Sequence, residues 1–230
     1  MSNKPIGIIG AMQIEIDGLK AAMTDCREER ISGITFTSGL LEGVPVVCAV
    51  CGVGKVFAAL AAQTMILRYA PRALLNTGVA GGLDEGLRVG DIVLADAVVQ
   101  HDMDTSALGD PVGLLSGINI IKIPTDKALL RALCAATEAQ GLTPHVGTVA
   151  TGDQFIATQR PKQKMRVRFG AIACEMEGGA IGQVAYVNGV PFAVLRAISD
   201  GGDGMEFSQF VALAAARSVA TTKAFVQQLK

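Results

Sequence analysis

Short apolar runs alternate with amphipathic segments along most of the chain. Apolar runs of this length predict buried strands, which we place near 6–10, 45–51, 73–77, 92–99, 146–151, 171–176 and 192–198. Apolar residues three or four apart predict helices, which we place near 13–24, 55–70, 125–140, 178–188 and 208–229. Strands that alternate with helices are typical of α/β folds. We therefore predict one three-layer α/β domain over residues 1–230, with a mixed, largely parallel central sheet flanked by helices.

Composition narrows the classes of partner. Half of the 230 residues are hydrophobic, which is enough for one well-buried domain. The net charge of −1 comes from 20 basic and 21 acidic residues without a basic stripe, so neither nucleic acid nor an anionic membrane is an expected partner. No run approaches the roughly 20 apolar residues that span a bilayer, and the first residues lack a signal-peptide pattern. We expect a cytoplasmic protein.

The cysteines do not predict a disulfide framework or a metal site. There are five, an odd number, and Cys48 and Cys51 form the one C-x-x-C pair. Both lie in the predicted strand 45–51, where residues three apart point to opposite faces, so the two thiols should neither pair nor share a metal. With His101 and His145 as the only histidines, candidate metal ligands are few.

Three carboxylates follow predicted strands. Glu15 comes soon after the first strand, Glu177 closes the strand near 171–176, and Asp200 ends the strand near 192–198. Strand ends of α/β sheets converge on one crevice, where ligands bind. Carboxylates gathered there would repel one another, a cost that a protein accepts more readily for chemistry than for stability. We expect the three to share one site.

Two glycine-rich segments that follow predicted strands do not match the phosphate-binding motifs. Gly52-Val53-Gly54-Lys55 lacks the further glycine and the hydroxyl residue of a P-loop, and the segment 78–82 is not G-x-G-x-x-G. These glycines either make tight turns or let the backbone approach a ligand of little negative charge. Arg88, which follows the second segment, is interpreted as a surface turn residue.

Eight segments, in order along nearly the whole chain, resemble the 5′-methylthioadenosine/S-adenosylhomocysteine nucleosidase family of the nucleoside phosphorylase/nucleosidase superfamily. They are IIGAMQIE (8–15), CGVGKV (51–56), NTGVAGGL (76–83), VGDIV (89–93), HDMD (101–104), TGDQFI (151–156), EME (175–177) and RAISD (196–200). The resemblance implies a nucleoside phosphorylase-like fold.

The resemblance also implies catalytic roles. Glu15 would be the base that activates the attacking water, and Asp200, oriented by Ser199, would protonate N7 of adenine. Glu177 would be ionised and accept hydrogen bonds from the ribosyl hydroxyls, with Met176 packed beside the sugar. Because an ordinary aspartate is ionised at pH 7, Asp200 would have to be held in its protonated form.

Further positions are implied around the base and the 5′ substituent. They are Phe155 and Ile156 at the purine, Val79 and Gly81 in the glycine segment, and Met12, Val53 and Phe207 in the 5′ pocket. Thr105 and Leu108 would complete that pocket across a dimer interface. Val79 stands where the family often has serine, and the segment 201–207 is shorter than usual, which leaves the preferred 5′ substituent open.

The implied activity is hydrolysis of the N-glycosidic bond of 5′-methylthioadenosine, S-adenosylhomocysteine and related nucleosides, with release of adenine, no cofactor and no metal, in a homodimer. Alternatives are a nucleoside phosphorylase of the same fold, an aminodeoxyfutalosine nucleosidase, and a nucleoside-binding protein without turnover.

Each residue also has a structural alternative. Glu15 and Glu177 could be helix-start carboxylates, Asp200 a turn residue, and Phe155 and Phe207 core residues. We interpret His101 as a structural residue hydrogen-bonded in its loop, and Lys55 as a surface residue at a helix start.

Overall fold

One mixed sheet of ten strands organises residues 4–201 and 204–230, the part of the chain that the computed structural model describes. The strands are β1 (Ile6–Gly10), β2 (Met23–Ile31), β3 (Ile34–Leu41), β4 (Val44–Val50), β5 (Ala73–Gly82), β6 (Ile92–Gln100), β7 (Lys122–Pro124), β8 (Pro144–Thr151), β9 (Ala171–Glu175) and β10 (Phe192–Asp200). The helices are α1 (Gln13–Lys20), α2 (Lys55–Tyr69), α3 (Lys127–Glu138), α4 (Gln159–Phe169), α5 (Gly178–Val187) and α6 (Gly204–Gln228). A short 3₁₀ helix covers Ser106–Leu108.

Strand β5 joins the two halves of the sheet. It runs parallel to β1 on one side and to β10 on the other, and its last residues, Gly81 and Gly82, pair with β9. Because β10 also pairs with β6, and β8 connects β6 to β9, five strands close on themselves. The predicted fold class is confirmed, but the closure was not predicted and antiparallel pairings are more frequent than expected.

Helices cover both faces of the sheet. Helices α2 and α5 bury small residues such as Ala61 and Ala180 in one core cluster. Helices α1, α3 and α6 bury larger ones, among them Leu19, Leu133 and Phe225, in a second cluster on the opposite face. A third, smaller cluster holds α4 against β8 and β9.

Several elements differ from the prediction. The β2–β3 hairpin was missed because β2 lies at the sheet edge and exposes most of its polar side chains, so it lacks an apolar signal. Strand β7 and helix α4 were also missed. Helix α1 ends at Lys20, four residues before its predicted end, because Met23 already begins β2. The segment 78–82 is not a loop: β5 continues through it to Gly82.

The two cysteines of the C-x-x-C pair lie on opposite faces, as predicted. Cys48 packs in the cluster of α1, α3 and α6, and Cys51 in that of α2 and α5. Both thiols are free, and burial raises the pKa of each to about 12. Neither is a reactive thiolate at neutral pH. In the described part of the chain, no helix is both long and apolar enough to cross a membrane.

Candidate active site

Strand ends converge on one cavity of about 390 Å³. The carboxyl ends of the mutually parallel strands β1, β4, β5 and β10 meet at this edge of the sheet, as expected for an α/β fold. Residues that follow β8 and β9, which run in the opposite direction, reach the same cavity. The structure brings together there twelve of the fourteen residues that the sequence and the resemblance selected. They are Met12, Glu15, Val53, Val79, Gly81, Phe155, Ile156, Met176, Glu177, Ser199, Asp200 and Phe207. Ala11, Ala80, Gln154, Cys174 and Glu175 complete the lining.

Glu15 lies in the first turn of α1 and is 3% exposed. Its Oε2 accepts hydrogen bonds from the backbone N–H groups of Ala11 and Met12 at 2.8 and 2.9 Å. Its Oε1 accepts one from the N–H of Val79, across on β5, at 3.0 Å. The first two bonds are those of a helix-start carboxylate, but the third is not local. The carboxylate is thus fixed between two strand ends while it faces the cavity.

Gly78 allows this arrangement. A Cβ at this position of β5 would lie 2.5 Å from Oε1 of Glu15 and 2.8 Å from Nη1 of Arg196, so no other residue fits without displacing one of them. For the glycines of this segment the sequence left open either tight turns or close approach of the backbone to a ligand. What approaches, however, is a pair of charged side chains of the protein itself.

Arg196 is a residue of the site that the sequence argument missed. It is 2% exposed and stands opposite Gly78 in the β5–β10 register. Its Nη2 donates to Glu175 and to Oδ1 of Asn76, and lies 3.8 Å from Oε2 of Glu177. Within the described chain its Nε has no partner. The sequence does contain a signal for this residue. An arginine inside the apolar run FAVLRAIS is expected to be buried with its strand, and a buried guanidinium needs carboxylate partners.

Glu175 was also missed, although it lies two residues before Glu177. Burial alone would raise its pKa, but Arg196, Thr151 and the N–H of Gly178 hold the pKa of Glu175 below its ordinary value. It also accepts the N–H of Glu177 at 2.9 Å and that of Gly178 at 2.6 Å, and so completes the start of α5. Glu175 is thus the ionised partner of Arg196 beneath the cavity.

Glu177 does not cap the helix at whose start it stands. Its Oε1 instead accepts the N–H of Gly54, from the loop after β4, at 2.9 Å. Burial and the neighbouring Glu175 raise its pKa to about 7, against the opposing effect of Arg196. Glu177 therefore titrates near neutrality, whereas the sequence argument had it simply ionised.

This pKa predicts a pH dependence of stability. Because the pKa of Glu177 is raised on folding from 4.5 to about 7, its stabilising contribution is complete below about pH 4.5 and is lost as the pH rises through 7. We expect Glu177→Gln, whose amide oxygen can still accept the Gly54 N–H, to gain on the order of 2 kcal/mol relative to the unsubstituted protein between pH 5 and pH 8.

Urea unfolding of both proteins at the two pH values measures this gain. The matched control is Glu138→Gln, an exposed glutamate at the end of α3, which should show no such gain. Parallel stability curves for the Glu177 variant and the control would mean that Glu177 does not titrate differently on folding.

Asp200 ends β10 and is 2% exposed. Its Oδ2 accepts a hydrogen bond from Oγ of the adjacent Ser199 at 2.7 Å. The β5–β10 register shifts between Ile198 and Asp200, and this irregularity lets Ser199 and Asp200 both line the cavity. Gly81 is the partner of Asp200 on β5, so the carboxylate lies against bare backbone.

The rim of the cavity is apolar and more exposed. The rings of Phe155 and Phe207 meet edge to face, with centroids 5.4 Å apart. Phe155 is 52% exposed and Val53 is 53% exposed, so neither is a core residue. Ile156 is buried below them. Large apolar side chains at a cavity mouth are typical of ligand contact.

Some predicted features lie elsewhere. Thr105 and Leu108 do not line the cavity, and Leu108 on the 3₁₀ helix is 84% exposed. The shortened segment 201–207 falls partly outside the described residues. His101 was expected to be hydrogen-bonded in its loop, but its Nε2 is buried and has no partner in the described structure. Burial lowers the pKa of His101.

The cavity does not offer an anion site. No lysine or arginine is among its lining residues in the described chain. Arg196 lies below the lining and is already paired with Glu175. Nor do residues 4–201 and 204–230 contain a group of three histidine, cysteine or acidic side chains placed to hold a metal ion. The polar groups that reach the cavity are thus mostly acids.

Comparison with known proteins decides the family. A family model described as the phosphorylase superfamily matches residues 5–227. A 5′-methylthioadenosine/S-adenosylhomocysteine nucleosidase from Staphylococcus aureus is 39% identical over 228 residues, which cover 97% of this chain and 100% of that protein. The chain belongs to the 5′-methylthioadenosine/S-adenosylhomocysteine nucleosidase family.

Solved structures agree with this assignment. The family member from Helicobacter pylori, complexed with a thioether-bearing 4-amino-pyrrolopyrimidine compound, superposes with a TM-score of 0.95 at 34% identity and covers 99% of this chain and 100% of its own. The futalosine hydrolase of H. pylori has a TM-score of 0.94 at 33% identity, with 98% of each chain covered. The nucleosidase family fold thus extends over nearly the whole chain.

Proposed function

We propose that this protein is a purine nucleosidase that hydrolyses the N-glycosidic bond of 5′-methylthioadenosine and S-adenosylhomocysteine and releases adenine. The observation that carries the proposal is the single cavity in which Glu15, Glu177 and Asp200 all face the same space. Its volume is in the range that suits a small-molecule ligand. The family membership and the S. aureus relative support the same reaction.

The reaction needs one proton donor and one proton acceptor. Adenine leaves poorly as an anion, so Asp200, held by Ser199, gives a proton to N7 as the bond between C1′ and N9 breaks and its electron pair moves to the base. Glu15 takes a proton from the water whose oxygen bonds to C1′. Its three backbone hydrogen bonds fix the carboxylate for this step.

The charge of the site suits the transition state. Glycosidic cleavage develops positive charge on the sugar, as in other glycoside hydrolyses. Four buried acids, Glu15, Glu175, Glu177 and Asp200, line the cavity, and Arg196 below it is paired with Glu175. In our proposal Glu177 accepts hydrogen bonds from the ribosyl hydroxyls, and its pKa near 7 falls when those donors bind. Met176 packs beside the sugar.

The apolar rim accounts for the two ends of the substrate. Phe155, whose ring is half exposed, stacks on the purine, and the backbone of Ile156 offers hydrogen bonds to it. Val79 and Gly81 contribute the β5 edge. Met12, Val53 and Phe207 line the space left for the 5′-alkylthio group.

The direct test is to incubate the protein with methylthioadenosine in phosphate-free buffer and to measure the released adenine by chromatography. We expect turnover that added phosphate does not accelerate, because no cation lines the described cavity to hold phosphate. A rate strictly dependent on phosphate would instead favour a nucleoside phosphorylase. Tight binding without turnover would favour a nucleoside-binding protein.

A second substrate class has a specific observation in its favour, the futalosine hydrolase among the structural neighbours. Aminodeoxyfutalosine would use the same acids and differ only at the 5′ end. A hydrolysis panel of methylthioadenosine, S-adenosylhomocysteine, 5′-deoxyadenosine, aminodeoxyfutalosine and inosine ranks the candidates by kcat/KM. A preference for aminodeoxyfutalosine over both thioethers would reassign the substrate but keep the reaction.

We also propose that the enzyme is a cytoplasmic homodimer. Val56 and Phe57 on α2, Val187 on α5 and Leu108 on the 3₁₀ helix are large apolar side chains left exposed in one chain. A second copy covering them would bring Thr105 and Leu108 towards the 5′ pocket. Free cysteines fit a reducing compartment. Sedimentation equilibrium measures the mass, and a monomer at assay concentration would contradict the dimer.

A further inference from the structure

Three polar residues outside the cavity lining form a closed ring of contacts at its mouth. Nζ of Lys55 donates to Oδ1 of Asp102 at 2.6 Å, and Oδ2 of Asp102 accepts the N–H of Asp153 at 2.9 Å. Oδ1 of Asp153 in turn accepts the N–H of Lys55 at 2.8 Å. We name Lys55, Asp102 and Asp153 the loop clamp.

The clamp connects three separate segments. Lys55 follows the glycine loop after β4, Asp102 begins the loop after β6, and Asp153 follows β8. Although burial opposes it, Lys55 and the N–H of Asp153 hold the pKa of Asp102 below its ordinary value, so this carboxylate is ionised at neutral pH. His101 beside it stays neutral because burial lowers its pKa. Asp102 therefore accepts the hydrogen bonds from Lys55 and Asp153 as a carboxylate.

Each end of the clamp adjoins a segment of the site. Gly54, immediately before Lys55, donates its N–H to Oε1 of Glu177 at 2.9 Å. Gly54 has a φ of +100°, and a Cβ there would lie 3.1 Å from Oδ1 of Asp153. On the other side, Asp153 directly precedes Gln154, Phe155 and Ile156 in the lining. The clamp is thus placed to fix both the amide that holds Glu177 and the segment at the purine.

Stability alone is a poor explanation of the clamp. The side chains of Lys55 and Asp102 are each 20% exposed, and that of Asp153 is 48% exposed. Removal of Lys55 and Asp102 from water offsets part of their attraction, and the more exposed contact of Asp153 contributes little to folding. A ring that immobilises three loop segments contributes less to folding stability than to the positions of the site groups that those segments carry.

From this geometry we propose that Lys55, Asp102 and Asp153 are positioning residues, which orient Glu177 towards the ribosyl hydroxyls through the N–H of Gly54. The inference rests on the proposed nucleosidase function, since it assigns to Glu177 the grip on the sugar. Lys55 is then more than the helix-start surface residue that the sequence suggested.

The test is whether the benefit of a sugar hydroxyl depends on the clamp. In Lys55→Met we expect kcat/KM for methylthioadenosine to fall by about 10–100-fold, as misplaced binding groups typically cause. The ratio of kcat/KM for methylthioadenosine to kcat/KM for its 2′-deoxy analogue should fall by about tenfold in the same variant. The 2′-hydroxyl and the clamp both act through Glu177, so their effects should depend on each other. Lys55→Arg should restore part of both.

The pH profile supplies a readout that a merely structural role would not move. Burial, Glu175 and Glu15 raise the pKa of Glu177, while Arg196 and the N–H of Gly54 lower it. Cys51 beside it stays a neutral thiol. Loss of the Gly54 contact should therefore move the acidic limb of kcat/KM to higher pH in Lys55→Met. Lys20→Met, which breaks the exposed Lys20–Glu28 pair of 2.8 Å, is the matched control and should move neither readout.

The outcomes separate this inference from the proposed function. If the unsubstituted protein does not release adenine from methylthioadenosine, the proposed function fails. The clamp is then tested by binding of formycin A and 2′-deoxyformycin A, two nucleosides that cannot be hydrolysed, and the ratio of their Kd values replaces the ratio of kcat/KM. Unchanged hydroxyl discrimination and pH profile in Lys55→Met would overturn the inference, even if activity fell. Should Lys55→Met not fold, Asp102→Asn, which can still accept the Asp153 N–H, is measured in the same way.

Discussion

Asp200→Asn should lower kcat for methylthioadenosine by about 10²–10⁴-fold, the usual contribution of a general acid. Asparagine keeps the shape of the side chain and can still accept the hydrogen bond from Ser199. It cannot give a proton to N7, so the loss should appear in kcat while KM changes little. Initial rates of adenine release, with circular dichroism to verify folding, measure the effect.

The leaving group provides a control for this assignment. p-Nitrophenyl ribofuranoside releases an anion that needs no protonation, so its hydrolysis should be much less sensitive to Asp200→Asn. Asp17→Asn, at an exposed position of α1, should leave both substrates unaffected. An equal loss on the two substrates would show that Asp200 acts otherwise than as an acid.

Glu15→Gln is expected to reduce kcat by a similar factor, about 10²–10⁴-fold, because an amide cannot accept the proton of water. This change also costs stability. Both carboxylate oxygens accept backbone N–H groups, and the amide nitrogen must turn towards one of these donors, which leaves it unpaired at roughly 1–3 kcal/mol. Thermal unfolding separates that cost from the loss of chemistry.

A small nucleophile distinguishes the base from the acid. Azide needs no base, so it should restore glycosidic cleavage in Glu15→Ala with formation of a ribosyl azide, but not in Asp200→Asn. If azide rescued neither variant, or both equally, the separate roles of the two carboxylates would have to be abandoned.

The elements that could be predicted from the sequence are those that bury apolar side chains. Strands β1, β9 and β10 lie in apolar runs, and the acids that end or follow them could be located because strand ends of an α/β sheet converge on one crevice. The missed hairpin of β2 and β3 has an exposed, polar edge strand, which gives no periodic signal. The closure of five strands depends on register between distant segments, and spacing along the chain does not encode it.

The site shows the same division. Glu15, Glu177 and Asp200 stand out by position, but Arg196 and Glu175 act through each other, and their pairing is visible only in three dimensions. The shift of the pKa of Glu177 to about 7 follows from burial and from Glu175, neither of which the sequence quantifies. The role of the segment 78–82 was misjudged for a similar reason, because its glycines belong to a strand that accommodates side chains from β10 and α1.

The absence of a side chain at Gly78 implies that different parts of the site tolerate substitution to different degrees. At this position any added carbon displaces Glu15 or Arg196, so laboratory selection for new substrates will find no useful variation there. Val53 and Phe155, half open to solvent, can change without disturbing that floor. Altered preference for the 5′ group is therefore to be sought by randomising the mouth, with the reacting centre inherited intact.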